Sequence, residues 1–165
     1  MKKSLCWENR INTLMEFVVM GGLYGGPPVV LEEEKFSYAG KFMMKDTGKI
    51  VCKIEDEIVA AASFNFDRND KKIAWVRYIS VRKDKRLEGI GHSLIIYVTE
   101  KIIGEFPDCV RVAVNNPIAY NAFYKAGFEY TGNEVGLCEL ILEYPKNQTD
   151  RMYGKGAEIF ECRNI

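Results

Sequence analysis

The stretch from Ile79 to Gly91, I-S-V-R-K-D-K-R-L-E-G-I-G, constrains this chain more than any other. A run with strand character, Ala74 to Val81, ends in a charged turn. The turn becomes Arg86-Leu87-Glu88-Gly89-Ile90-Gly91, and a helical pattern follows at once. A strand that feeds a glycine-containing turn into a helix N-terminus builds an anion site. The first-turn N–H groups have no partners inside the helix, and the helix dipole favours negative charge there. Glycines let the backbone approach a phosphate closely and take conformations that other residues avoid. These residues predict a phosphate-bearing ligand held by main chain.

The rest of the composition narrows the partners. A chain of 165 residues is expected to form a single domain, residues 1–165, with a sizeable core. Its 23 basic and 23 acidic residues cancel, which argues against nucleic acid or an anionic membrane as partner. The cysteines (Cys6, Cys52, Cys109, Cys138, Cys162) are odd in number and scattered, without a C-x-x-C pair. Neither a metal site nor a disulfide framework is expected; reduced thiols in the cytoplasm are. The apolar stretch Leu14 to Val19 is interrupted by Glu16 and no small-residue cleavage pattern follows, so no signal peptide is expected. No apolar run is long enough to span a bilayer.

Along the chain, Ile11, Leu14, Met15 and Val18 lie at helical spacing and predict a first helix ending at Gly21-Gly22. Gly21 to Pro28 must be a loop, either a plain connector between helices or a mobile segment shaping a pocket. Leu31 to Lys45 is weakly helical. Three strands follow, Ile50–Glu55, Ile58–Phe66 and Lys72–Val81, with links short enough for an antiparallel meander. After Gly91 the stripe Leu94, Ile95, Val98, Ile102 predicts a helix ended by Pro107, buried on more than one side. Val110–Val114 is a short strand that can lie parallel to the third, because a helix separates them. Asn116-Pro117 starts another helix, which Gly127 stops. Leu137–Tyr144 reads as a strand and Ala157–Cys162 as a further strand, with a polar tail between them.

Two motifs in this order resemble the GNAT superfamily of acetyl-CoA-dependent N-acetyltransferases. One is Arg86-x-x-Gly89-x-Gly91, five residues after Val81. The other is Asn116, Ala119 and Gly127-Phe128 in register. The resemblance covers about Ile50 to Tyr144, the expected core, and leaves 145–165 as an extension or last strand. It implies an α/β (α+β) fold: a mixed, mostly antiparallel central sheet with helices on both faces. It further implies that N–H groups of Arg86, Leu87, Glu88, Gly89, Ile90, Gly91 and the helix start bind the coenzyme A pyrophosphate. The acetyl arm would lie where the strand ending at Val81 splays from Val110–Val114. The amides of Ile79 and Val81 would face it, one polarising the acetyl carbonyl, an effect of about 3 kcal/mol for a single fixed donor. Asn116 and Phe123 would complete the cofactor side. The acceptor implied is an amine, and a homodimer is compatible with the family.

The sequence departs from the family at the position of its acid, a tyrosine four residues before the Gly of Gly-Phe. Here that residue is Phe123. Tyr124, one position on, and Tyr120, a turn earlier, are the candidate general acids, at about 100° and 60° around the helix from Phe123. A coenzyme A thiol, with a pKa near the ordinary thiol value of about 8.5, can also leave without an acid. A strand glutamate that serves as base in some relatives is matched by Trp75, so ordered water, Glu139 or Asp67 are the alternatives. His92 reads as a phosphate or adenosine 3′-group contact or as solvated surface, and Cys109 as a core residue. Tyr24, Tyr38 and Tyr78 are candidates for an acceptor pocket or for core packing. Glu32-Glu33-Glu34 suits a cationic acceptor or a solvated helix start. The expected function is acetyl transfer from acetyl-CoA to a primary amine of a small molecule or peptide. The alternative is a non-catalytic acyl-CoA-binding regulatory module on the same fold.

Overall fold

The structure is a computed structural model that describes residues 2–6, 13–22, 25–29, 31, 40–44, 46–105, 107–136, 139–145 and 150–163. The elements run β1 (Lys2–Cys6), β2 (Thr13–Val19), α1 (Lys41–Met44), β3 (Gly48–Ile54), β4 (Glu57–Phe66) and β5 (Ile73–Val81). They continue with α2 (Ile90–Ile103), β6 (Cys109–Val114), α3 (Pro117–Lys125), β7 (Glu129–Val135), β8 (Glu139–Tyr144) and α4 (Asp150–Arg163). The strands form one sheet in the order β1-β2-β3-β4-β5-β6-β8-β7. Every neighbouring pair is antiparallel except β5 with β6.

Alternation along the strands divides the core. Ile50, Cys52, Ala60 and Ala62 enter a large cluster with Leu94, Ile95, Val98 and Ile102 of α2. Val51 and Ala61, one residue out of phase, face the other way and pack with Met43 of α1 and Val29. Helices therefore lie on both faces of a mostly antiparallel sheet, as the family resemblance implies. α2 is also buried at Ile90, Tyr97 and Thr99, and Tyr97 stacks on Phe17 at 4.7 Å. The helix thus lies in the core with more than one side covered, as its apolar residues off the main stripe suggest. Among the described residues no helix is long and apolar enough to cross a membrane.

Two expectations are corrected. Thr13–Val19 is a strand, not a helix. Met15 and Phe17 enter the large cluster while Val18 packs on the smaller one. A strand buried on both faces gives an almost continuous apolar run, and such a run can mimic helical spacing. At the other end, Ala157–Cys162 is not a strand but the last part of α4. Gly156 and Phe160, four apart, are its buried face, and Glu158 and Glu161 its exposed one. β8 is consequently the last strand among the described residues. β7 is a strand that the sequence pattern did not reveal. Its Thr131-Gly132-Asn133 reads as a turn; Gly132 has φ +88° and pairing with β8 shifts between Tyr130 and Glu134.

Candidate active site

β5 is shared between two partners, and the two pairings stop at different places. On one side it pairs with β4 from Ala74 to Val81; on the other it pairs with β6 only from Ile73 to Val76. The register with β4 skips Arg77, which makes Arg77 the extra residue of a β-bulge. The parallel pairing ends one residue before that bulge. Beyond it β5 and β6 separate, and a cleft of about 270 Å³ opens. Val76, Arg77, Tyr78 and Ile79 form one wall and Val112 to Asn115 the other; Ala119, Phe123 and Glu139 close it.

The free edge of β5 carries main-chain donors. Arg82 N donates to Val59 O, 2.8 Å, across the β4 side. Strand alternation then turns the N–H groups of Val81 and Ile79 to the opposite edge, toward β6, where among the described residues no strand pairs with them. After Val81 the chain makes a 3-10 turn over Lys83–Lys85. Arg82 pins this turn through Asp84 (2.6 and 3.0 Å) and Glu57 (3.2 Å). Arg86 Nε donates to Val81 O, 2.8 Å, and fastens the turn to the strand end.

Leu87 and Gly89 then take φ of +66° and +82°. Gly89 is the N-cap of α2, and no side chain caps that helix. α3 differs: Asn116 Oδ1 accepts from Ala119 N at 2.9 Å, and Pro117 occupies its first turn. The uncapped first turn of α2 presents N–H groups at the end of β5, with Gly91 facing Val81.

α3 brings Ala119 and Phe123, four apart and on one face, to the cleft. Tyr120 is turned elsewhere. It is 1% exposed, edge-on to Phe160 at 5.5 Å, and a Cβ on Gly156 of α4 would collide with its ring and hydroxyl. Tyr124 is half-buried, and neither tyrosine lines the cleft. Of the other residues singled out from sequence, Ile79 and Phe123 line the cleft. Val81, Arg86, Leu87, Glu88, Gly89, Ile90, Gly91 and His92 form the strand end, turn and helix start beside it. Leu87 and His92 are exposed. Asn116 serves α3 as its cap and donates to Asn115 Oδ1 at 3.0 Å. Tyr24, Tyr38 and Glu32-Glu33-Glu34 lie outside the described residues. Tyr78 lines the cleft and packs on the smaller core cluster.

Of the two carboxylates considered as bases, Glu139 lines the cleft and Asp67 does not. Asp67 accepts from Asn69 N (2.9 Å), Asp70 N (3.2 Å) and Trp75 Nε1 (3.0 Å). The turn hydrogen bond from Asn69, then that from Trp75, hold its pKa below the usual aspartate value. Burial, then the charge of Glu143, pushes the Cys109 thiol up to about 11, so it stays protonated at neutral pH. Sequence reasoning missed Arg77 and Asn115; a bulge leaves no mark in residue alternation.

The sequence matches the family model of the Acetyltransferase (GNAT) family over residues 22–128. The chain belongs to the GNAT acetyltransferase family. Solved structures agree in fold. An IAA acetyltransferase from Bacillus cereus matches with TM-score 0.60 and 14% identity, over 78% of this chain and 97% of that one. A Bacillus subtilis acetyltransferase in complex with CoA gives 0.62 and 11%, over 81% and 99%. The catalytic domain of a Tetrahymena histone acetyltransferase, in complex with coenzyme A, gives 0.59 and 11%, over 78% and 91%. At these identities the likeness is one of fold. Sequence comparison with curated proteins finds no significant match. In this GNAT acetyltransferase the splay of β5 from β6 and the turn leading into α2 are adjacent parts of one surface, joined through Val81.

Proposed function

We propose that the chain transfers the acetyl group of acetyl-CoA to a primary amine by direct attack. The observation that carries the reading is the splayed cleft, with the free N–H edge of β5 on one side and the uncapped start of α2 at its end. In this reading the turn from Arg86 to His92 holds the pyrophosphate through main-chain N–H groups. Similar structures are complexes with coenzyme A, which supports coenzyme A as the ligand. The amide of Ile79 or Val81 donates to the acetyl oxygen, where negative charge grows as the amine attacks.

The amine nitrogen bonds the acetyl carbon, the carbon–sulfur bond breaks, the ammonium proton passes to a base, and the thiolate takes a proton from solvent. Glu139 is the base we assign, since it is the carboxylate at the cleft. Phe123 packs beside the acetyl group and gives no proton. Tyr124, the other candidate acid on α3, does not line the cleft. An ordinary thiol pKa of about 8.5 lets the thiolate leave without it.

The test is calorimetric binding of acetyl-CoA together with free-thiol release on addition of amines. Saturable binding with release supports transfer. Binding with no release across a broad panel of amines and peptides would assign the chain to the non-catalytic acyl-CoA-binding alternative.

A further inference from the structure

A second cavity, of about 710 Å³, lies beside the cleft, lined by Asp46, Thr47 and the β4–β5 turn from Asn65 to Asn69. Arg77 lines both spaces, so the bulge residue stands where they meet. Its orientation is fixed from two directions. Nε donates to Asn65 Oδ1 at 2.8 Å, and the guanidinium lies 5.1 Å from the centre of the Trp75 ring. Trp75 is itself held by its bond to Asp67. Among the described residues the two terminal amino groups of Arg77 carry no hydrogen bond. A guanidinium keeps its charge at any working pH, so this is a standing cation with its fork end open.

The carboxylates of the cavity are already engaged. Both oxygens of Asp67 accept hydrogen bonds, and Asp46 sits beside the buried Lys49 ammonium. The other charge facing the space is Arg68, which is exposed. Arg77 also feels the charge of Asp67, but the Asp67 oxygens are spent on other donors, so what the cavity leaves open is the hydrogen-bonding fork of a cation, although its formal charges, two acids and two arginines, balance.

We propose that this cavity is the acceptor subsite and that Arg77 takes the carboxylate of an amino-acid-like acceptor, its amine entering the cleft toward Glu139. The proposal rests on the transferase reading above and names the acceptor class for it. A planar fork of two N–H donors pairs bidentately with a carboxylate, and stacking on Trp75 leaves little rotamer freedom to lose on binding. Arg77 is a specificity residue in this scheme and performs no chemistry.

The experiment uses matched acceptors that differ only in the anion: free amino acids against their amides, with acetyl-CoA. The wild-type chain is expected to favour the free acid by about tenfold or more in kcat/KM, the range of a charge-assisted pair. Arg77→Gln should bring the acid-to-amide ratio of kcat/KM down to about one, through a raised KM for the acids. Arg68→Gln should have a smaller effect on the same axis. Calorimetric binding of N-acetyl amino acids against N-acetyl amino amides, with coenzyme A present, gives a readout independent of turnover. Discrimination in binding that Arg77→Gln abolishes, without turnover, would support the subsite while overturning the transferase reading. Turnover with no preference for the acid, or a preference that survives Arg77→Gln, would overturn the subsite and leave the transferase reading intact.

Discussion

Gly89 and Gly91 are both in the glycine turn, yet they are there for different reasons. Gly89 has φ +82°, where a side chain meets its own backbone; Gly91 is already inside α2. A Cβ at Gly91 would sit 3.4 Å from Val81 Cγ2, an ordinary contact. The protein alone therefore has little need of glycine at 91. Its presence fits a ligand that approaches the backbone closely. Gly89→Ala is expected to destabilise the fold by about 1–2 kcal/mol, the cost of a left-handed non-glycine residue. Gly91→Ala should leave stability unchanged or raise it by up to about 1 kcal/mol, since alanine is the better helix former. Both should weaken acetyl-CoA. Denaturant unfolding and calorimetry together separate the two; equal loss of stability at both positions would mean that Gly91 is structural.

At the scale of elements, α4 is the piece that fixes α3 in rotation. Gly156 admits the Tyr120 ring, and Phe160 meets its edge. Gly156→Ala is expected to cost about 1–3 kcal/mol by overpacking, measured by thermal unfolding, and Tyr120→Phe should leave turnover within twofold. A large loss of turnover in Tyr120→Phe at unchanged stability would return Tyr120 to the role of acid. This interface also shows why parts of the chain were opaque to sequence reading. The segment from β3 to α3 announces itself through short links, the uncapped glycine turn and the Asn-Pro start, all local devices. α4 was misread because Gly154 and Gly156 interrupt its pattern, and glycine at 156 is required by a residue 36 positions away. β2 was misread because burial on both faces erased its alternation. In the candidate site, the motif residues were legible as a turn, whereas the cleft depends on where two strand pairings end. That is set by the bulge at Arg77, which no residue spacing encodes.

At the scale of the molecule, the glycine loop after β2 is fastened to the sheet by a buried charge. Lys49, on β3, is 0% exposed. Its Nζ donates to Thr47 O at 2.9 Å and to Gly26 O at 3.2 Å. Gly26 leaves no room for a side chain, since its Cβ would strike Met20 O, and a Cβ at Gly25 would displace the Asp46 carboxylate. The loop is thus drawn onto the wall of the second cavity, where Asp46 and Thr47 lie. Burying an ammonium favours its neutral form: desolvation lowers the Lys49 pKa below 10.5, and the charge of Asp46 only partly opposes this. Between the lowered folded value and 10.5 the unfolded chain keeps a proton that the folded chain has released. Stability must then rise with pH across that window, by up to about 1.4 kcal/mol per pH unit for one group. Below the folded value both states hold the proton and the slope vanishes. Lys49→Met removes this titration. Denaturant unfolding of both proteins between pH 7 and 10.5 should show the wild type gaining stability on the variant toward the alkaline end. A difference that stays flat, or falls with pH, would mean that the folded chain keeps Lys49 as strongly protonated as the unfolded one.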